Sequence, residues 1–230
     1  MSDDMTTLVS TDSRDPWKRR LYLPAYQVQD AARYADIATQ TVRNWQRATG
    51  DSPAAIAARV SRVSLSYLQL QELAVVSAMR KQGISLQKIR LAREYLSTTF
   101  TLEFPFSDEQ VKTDGQDILM EFKEQLGGAL RLLVANRGGQ LVWREIIGER
   151  FNEFEYEKSL AVRWRMGGEQ SGIVIDPRVS YGAPSIRGVP TWALSGRVRA
   201  GETVGDVAED FLISQNDVRK ALKFEGITVH

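Results

Sequence analysis

Residues 26–45, YQVQDAARYADIATQTVRNW, carry the most informative pattern in this chain. Val28, Ala31 and Ala32, then Ile37, then Val42 and Trp45 fall at the spacing of two short helices on either side of a tight turn. A helix-turn-helix needs a small residue in its first helix, so that the second can cross closely over it. It also needs a turn residue that tolerates left-handed backbone, an apolar plug at the corner, and two apolar residues on the inner face of the second helix. Ala32, Asp36, Ile37, Val42 and Trp45 supply these in order. The short polar side chain of Asp36 makes the left-handed region less costly than it is for most residues. With Val42 and Trp45 turned inward, Thr39, Gln40, Thr41, Arg43, Asn44 and, one turn on, Arg47 face out. These residue types read base edges and hold phosphates: Arg for guanine, Asn or Gln for adenine, Thr for either.

Before this motif, residues 1–24 read as a flexible arm carrying the basic cluster Lys18, Arg19 and Arg20, which is suited to phosphate contact. After it, Leu65, Leu68, Leu73, Val76 and Met79 run at helical spacing to a stop at Gly83. Ser85 caps a following helix with the stripe Leu86, Ile89 and Leu96. Residues 25–97 read as one helical unit built on this motif. Residues 98–170 read as a β-containing connecting segment, with strand-like runs at 98–106, 118–122, 129–134, 140–145 and 160–166. Residues 171–230 read as a helical domain. A short strand at 172–175 is followed by helices at 191–200, 203–211 and 214–224, the last two capped by Thr203 and Ser214. The expected fold is mainly α, with a helix-turn-helix in front, a small β-containing middle segment, and a three-helix, helix-turn-helix-like unit at the end.

Composition removes whole classes of function. The 230 residues contain no cysteine and a single histidine, His230. Thiolate sites, zinc or iron centres and His-based nucleophilic catalysis are therefore not expected. No phosphate-binding glycine signature is present, so the expectation is a protein that is no enzyme and has no catalytic residue, cofactor or metal. Apolar residues make up 43% without a run long enough to span a membrane, and the N-terminus has no apolar leader, so the expected location is the cytoplasm. The net charge is only +1, but it is unevenly spread. Residues 1–97 hold 14 Lys/Arg against 9 Asp/Glu, residues 98–170 hold 9 against 13, and residues 171–230 hold 7 of each. A basic front suits DNA. The run of acids that includes Glu149, Glu153 and Glu155 suits a basic protein partner or is simply a solvated face.

The front motif resembles the DNA-binding head of MerR-type regulators. The likeness rests on Tyr26-x-Val28-x-Asp30-Ala31-Ala32, Ile37 and Thr41-Val42-Arg43-x-Trp45. It continues through Leu65-x-x-Leu68-x-x-x-Glu72-Leu73 and Lys81-Gln82-Gly83-Ile84-Ser85-Leu86-x-x-Ile89-Arg90. Two departures stand out: Ala38 occupies the position of the usual Ser cap, and an Ala-rich stretch at 48–63 replaces the usual short wing. Arg59 and Arg62 are the candidates for the wing's phosphate contacts. The tail, with Asp176-Pro177, Gly182-x-Pro184-x-Ile186-Arg187-Gly188 and Gly201-Glu202-Thr203, resembles a domain of unknown function found in VapB-like antitoxins. There Arg187 either meets a partner's carboxylates or DNA phosphates, or holds its own loop. Together the two resemblances imply an antitoxin of the kind paired with PIN-like ribonuclease toxins. Such a protein binds operator DNA as a homodimer to regulate its own operon. Two other readings stay open: a stand-alone MerR-like regulator with no toxin, and a pure sequestering module. Toxin contact, dimerisation and a second DNA contact all remain open for the tail.

Overall fold

The computed structural model describes residues 16–48, 53–57, 64–113 and 150–228. The expected strands at 118–122, 129–134 and 140–145, together with Arg59, Arg62 and Glu149, lie outside the described residues.

Helix α1 (Pro16–Tyr22) opens the described chain. Pro16 fits the first helical position, where its missing N–H costs nothing, and Leu21 is fully buried. Arg20 donates to the Pro177 carbonyl (3.3 Å) and lies over the Tyr181 ring, while Arg178 lies over the Trp17 ring. The expectation of a flexible arm up to residue 24 is thus corrected from Pro16 onward: α1 is held by a loop distant in sequence. A two-residue strand β1 (Tyr26–Gln27) leads into α2 (Val28–Tyr34) and α3 (Thr39–Trp45). Strand β2 (Ser64–Leu65) pairs antiparallel with β1.

The central helix is α4 (Tyr67–Lys81), opened by a capping box in which Ser66 and Gln69 satisfy each other's backbone N–H groups. It is buried nearly all round, so it acts as the core post rather than as an amphipathic surface helix. Helix α5 (Leu86–Phe100), capped by Ser85, ends at Thr101 in left-handed backbone. A 3-10 turn (Pro105–Ser107) and α6 (Glu109–Thr113) follow. The strand expected at 98–106 is therefore corrected. Its β-branched and aromatic composition is overridden because the apolar stripe continues from Leu96 to Phe100, and Thr98 Oγ1 bonds back to the Glu94 carbonyl (2.9 Å).

The second half opens with an antiparallel meander in sequence order: β3 (Phe154–Glu157), β4 (Leu160–Met166), β5 (Ile173–Ile175), β6 (Ser185–Ile186) and β7 (Val189–Pro190). The sheet runs across the expected boundary at 170/171, so β3 and β4 belong with the tail rather than with a separate connector. Pro190 sits on the edge strand, where no ladder N–H is lost. Three helices close the chain: α7 (Thr191–Arg199), α8 (Val204–Asp210) and α9 (Gln215–Phe224). Thr203 and Ser214 cap the last two, as expected. Helices α7 and α8 pack on α9 through Leu194, Val207, Ala208, Val218, Ala221 and Leu222, all buried.

Front and tail share one core. Tyr26 Oη donates to the Gly182 carbonyl (3.1 Å), Tyr67 Oη to that of Ile175 (3.4 Å) and Gln71 Nε2 to that of Ala161 (3.2 Å). Gly182 (φ +81°) is required twice over: its backbone is left-handed, and a Cβ there would collide with the Tyr26 hydroxyl.

Candidate nucleic-acid interface

The exposed side of α3 is built by what lies beneath it. Ala31 and Ala32 are buried and small, so α3 crosses close over α2. The turn between them is set by Asp36 at φ +53°, and the Ile37 N–H reaches back to the Ala32 carbonyl (3.0 Å). Lys81 Nζ donates to Asp36 at 2.5 Å and holds its carboxyl below the usual carboxylate range. Ser77 Oγ donates to the Ala35 carbonyl (2.8 Å) and fixes the turn on α4. Ala38 begins α3 with no side-chain cap, as its identity requires. Val42 and Trp45 are buried at 0% and 5% exposure, and Ile37 is partly buried against them.

A second layer supports the end of α3. The Trp45 carbonyl accepts from the Ala55 N–H (2.8 Å), and Ile56 is fully buried. This segment is pinned by Glu72 on α4. The Glu72 carboxylate, fully enclosed, accepts from the Ala57 N–H (2.7 Å) and from Arg93 Nε (3.1 Å) and Nη2 (3.2 Å). Burial pushes this carboxyl upward, opposed by the Arg93 charge. Arg90, from α5, donates to the Arg47 carbonyl (3.2 Å) and ties down the far end of α3.

What remains outward is polar. Gln40, Arg43, Asn44 and Arg47 are exposed, while Thr39 and Thr41 are half-buried at the rim. Gln40 Nε2 donates to Asn44 Oδ1 (3.1 Å), which orders both amides on one ridge. Helix α3 contains no acidic residue, and the nearest turn acid, Asp36, is neutralised by Lys81. The face offers guanidinium and amide donors together with amide and hydroxyl acceptors. That combination matches nucleic-acid edges and phosphates.

The other expected site residues separate into groups. Arg19 is exposed on α1 and Lys18 is half-buried beside it, whereas Arg20 is committed to Pro177 and Tyr181. The acidic face expected from Glu153 and Glu155 is corrected. Glu153 accepts from Arg150 Nη1 (2.7 Å) and Trp164 Nε1 (2.8 Å), and Glu155 from Arg163 Nη1 (3.0 Å) and Arg165 Nε (2.6 Å). Glu155 is thus neutralised across the β3–β4 pair, and Glu153 by Arg150 three residues before it. Arg187, at φ +51° in the two-residue turn joining β6 to β7, is 74% exposed and reaches Asp217 on α9 at 3.6 Å. It does not fold back onto its own loop.

Sequence reasoning missed Glu72 as a structural anchor, although an acid inside the apolar stripe Leu68–Met79 was the available signal. It also missed the network at Asp176. That buried carboxylate accepts from Arg163 Nε (3.1 Å) and from the Arg178 side chain (2.9 Å) and backbone N–H (2.9 Å).

The matches to known proteins fit this arrangement. A family model described as "Protein of unknown function (DUF433)" matches residues 173–224, from the start of β5 to the end of α9. Across nearly the whole length, a protein of Mycobacterium tuberculosis (strain ATCC 25618 / H37Rv) named "Putative antitoxin VapB45" is 27% identical over 227 residues. That alignment spans 88% of this chain and 94% of the relative. The crystal structure of Rv2018 from Mycobacterium tuberculosis superposes with a TM-score of 0.74 at 28% identity, covering 88% of this chain and 99% of that one. Among the described residues, no helix is long and apolar enough to cross a membrane.

Proposed function

We propose that this chain is the antitoxin of a type II toxin–antitoxin pair. It binds operator DNA as a homodimer through a MerR-like helix-turn-helix formed by α2 and α3, and it neutralises a PIN-like ribonuclease. The observation that carries this reading is the acid-free polar face of α3 over buried Val42 and Trp45, with Ile37 partly buried beside them. The end-to-end similarity to a protein named as an antitoxin supports the toxin half. In the bound state Gln40, Arg43 and Asn44 meet base edges in a major groove, with Thr39, Thr41 and Arg47 at its walls. Arg19 and Lys18 lie toward the backbone, and Arg59 and Arg62 are assigned to phosphates on sequence grounds. The two-fold symmetry of a dimer sets half-sites about one helical turn apart, or a multiple of it.

A reporter fused to the chain's own upstream region tests the DNA half, and co-expression with the ribonuclease encoded next to it tests the toxin half. The double variant Arg43→Ala/Asn44→Ala is expected to release the reporter while still rescuing growth. A reporter that stays silent under this variant refutes the α3 assignment. Failure of the unaltered chain to rescue growth refutes the toxin assignment and leaves a stand-alone regulator.

A further inference from the structure

The turn between α2 and α3 is repeated in the tail, residue for residue. Helices α2 and α8 each have seven residues and end at a residue of helical backbone, Ala35 and Phe211. A left-handed residue comes next in both, Asp36 at φ +53° and Leu212 at φ +54°. The next N–H reaches back to the same relative carbonyl: Ile37 to Ala32 at 3.0 Å, and Ile213 to Ala208 at 3.0 Å. Extended N-caps, Ala38 (ψ 143°) and Ser214 (ψ 151°), then open α3 and α9. The inward positions correspond as well: Val42 with Val218 and Trp45 with Ala221, all buried. At this constant offset Val28, Asp30, Ala32, Ile37, Val42 and Arg43 meet the same residue types at Val204, Asp206, Ala208, Ile213, Val218 and Arg219. Helix α9 therefore holds the place in the tail that α3 holds in the front.

We propose that the tail is a second DNA-reading unit, with α9 as its recognition helix and Arg187 as a phosphate contact beside it. The outward positions of α9 carry Gln215, Asn216, Arg219 and Lys223, all exposed. Arg219 Nη2 donates to Gln215 Oε1 (3.1 Å), forming a ridge one turn long like that of Gln40 and Asn44. Asp217, the single acid of α9, is offset by Arg187, whose position on the β6–β7 turn brings a cation to the first turn of α9. The acids of α8 do not add up to a repulsive wall. All three are exposed, but Asp206 closes the capping box with Thr203 and Asp210 is paired with Arg197 at 2.6 Å, which leaves Glu209 outside these two pairings. The far end of α9 is anchored on the front unit: Phe224 stacks on Tyr34 with centroids 5.9 Å apart, and Arg33 pairs with Glu225 at 3.2 Å. That leaves the N-terminal half of the helix free, which is the half a recognition helix presents to base edges. Protein-binding hot spots are enriched in Trp, Tyr and Arg, and their clusters centre on well-packed, desolvated pockets. The outward face of α9 carries amides and cations and no aromatic or apolar side chain, a set that matches base edges and phosphates and favours DNA over a protein partner.

The test is a selection from a random-sequence duplex library, made with the full chain and followed by titration at several salt concentrations. The unaltered chain is expected to enrich a composite of two motifs at fixed spacing. Asn216→Ala/Arg219→Ala erases one motif and weakens binding about 5- to 150-fold, while keeping the other. Arg187→Ala leaves the sequence unchanged but lowers the salt slope by about one. All three side chains are surface-facing, so thermal melts of these variants are expected to match the parent. If Asn216→Ala/Arg219→Ala enriches the same composite with the same affinity, α9 does not read DNA and the inference falls. It falls equally if that variant loses only capture of the adjacent ribonuclease. The outcome is separable from that for α3. Loss of one motif by this variant, with none lost by Arg43→Ala/Asn44→Ala, sustains α9 and overturns α3, and a chain that enriches no sequence overturns both.

Discussion

Glu72 is the residue on which the floor of α3 depends. Its carboxylate is enclosed by protein, and its partners are the Arg93 guanidinium and the Ala57 N–H, from segments that follow and precede its helix in the chain. Removing one partner of a buried pair leaves the other charge uncompensated. Glu72→Ala is therefore expected to cost about 3–5 kcal/mol in a urea melt. A loss below about 1 kcal/mol, the ordinary value for an exposed pair, would contradict this role. Asp176 acts in the opposite sense on pH. Burial raises its carboxyl, but the hydrogen bonds from Arg178 and Arg163 outweigh that, and the net position is below the ordinary value. A folded value below the unfolded one gives stability that is present above about pH 3.9 and is lost as pH falls through the folded value. Melting temperatures of the parent and of Asp176→Asn, compared from neutral pH downward, are expected to converge in acid. A gap that stays constant to the lowest pH would mean the carboxylate charge plays no part.

Elements show where local sequence was enough and where it was not. Helices α8 and α9 were legible to within a residue because Thr203 and Ser214 sit directly before apolar stripes of helical period. The inward trio Ile37, Val42 and Trp45 was legible from apolar spacing alone, since Ala38 supplies no cap, and with it the exposed positions Gln40, Arg43, Asn44 and Arg47. Helix α1 was not legible. It buries one leucine, and what orders it is a loop more than a hundred residues away, which no window of sequence contains. The strand expected at 98–106 failed because Thr and Phe favour strands only where a sheet receives them, and here the α5 stripe continues instead. The reading of an acidic face at Glu153 and Glu155 left out their cations: Arg163 and Arg165 reach Glu155 from the neighbouring strand, which charge along a chain does not reveal, and Arg150 pairs locally with Glu153. One element still carries local strain: Leu212, at φ +54° and 91% exposed, lies where Asp36 lies in the front turn. A left-handed backbone costs an ordinary residue roughly 1–2 kcal/mol, and Asn less. Leu212→Asn is expected to raise stability by about 0.5–1 kcal/mol in a denaturant melt, since no buried contact is lost. A destabilised variant would show that the leucine side chain has a packing role.

Across the whole molecule, the front and the tail are closed on each other. Tyr26 meets Gly182, Tyr67 meets Ile175, Gln71 meets Ala161, and Phe224 lies on Tyr34. Cutting the chain between them would uncover the face of α4 that receives the sheet, so surface substitutions in the intact protein separate its roles better than truncations. This closure also fixes α3 in relation to the rest of the chain, so that the proposed DNA contact would be made by a preformed surface. The proposed function turns on the outward side of α3 reading DNA. The decisive measurement is a gel-shift titration of the intact chain on a duplex from its own upstream region, repeated at rising salt, beside the Arg43→Ala/Asn44→Ala variant. Binding by the parent is expected to fall steeply with salt, and the variant to lose about 1–3 kcal/mol of its preference for that duplex over a scrambled one. Equal preference in the two proteins would contradict a DNA-reading role for α3.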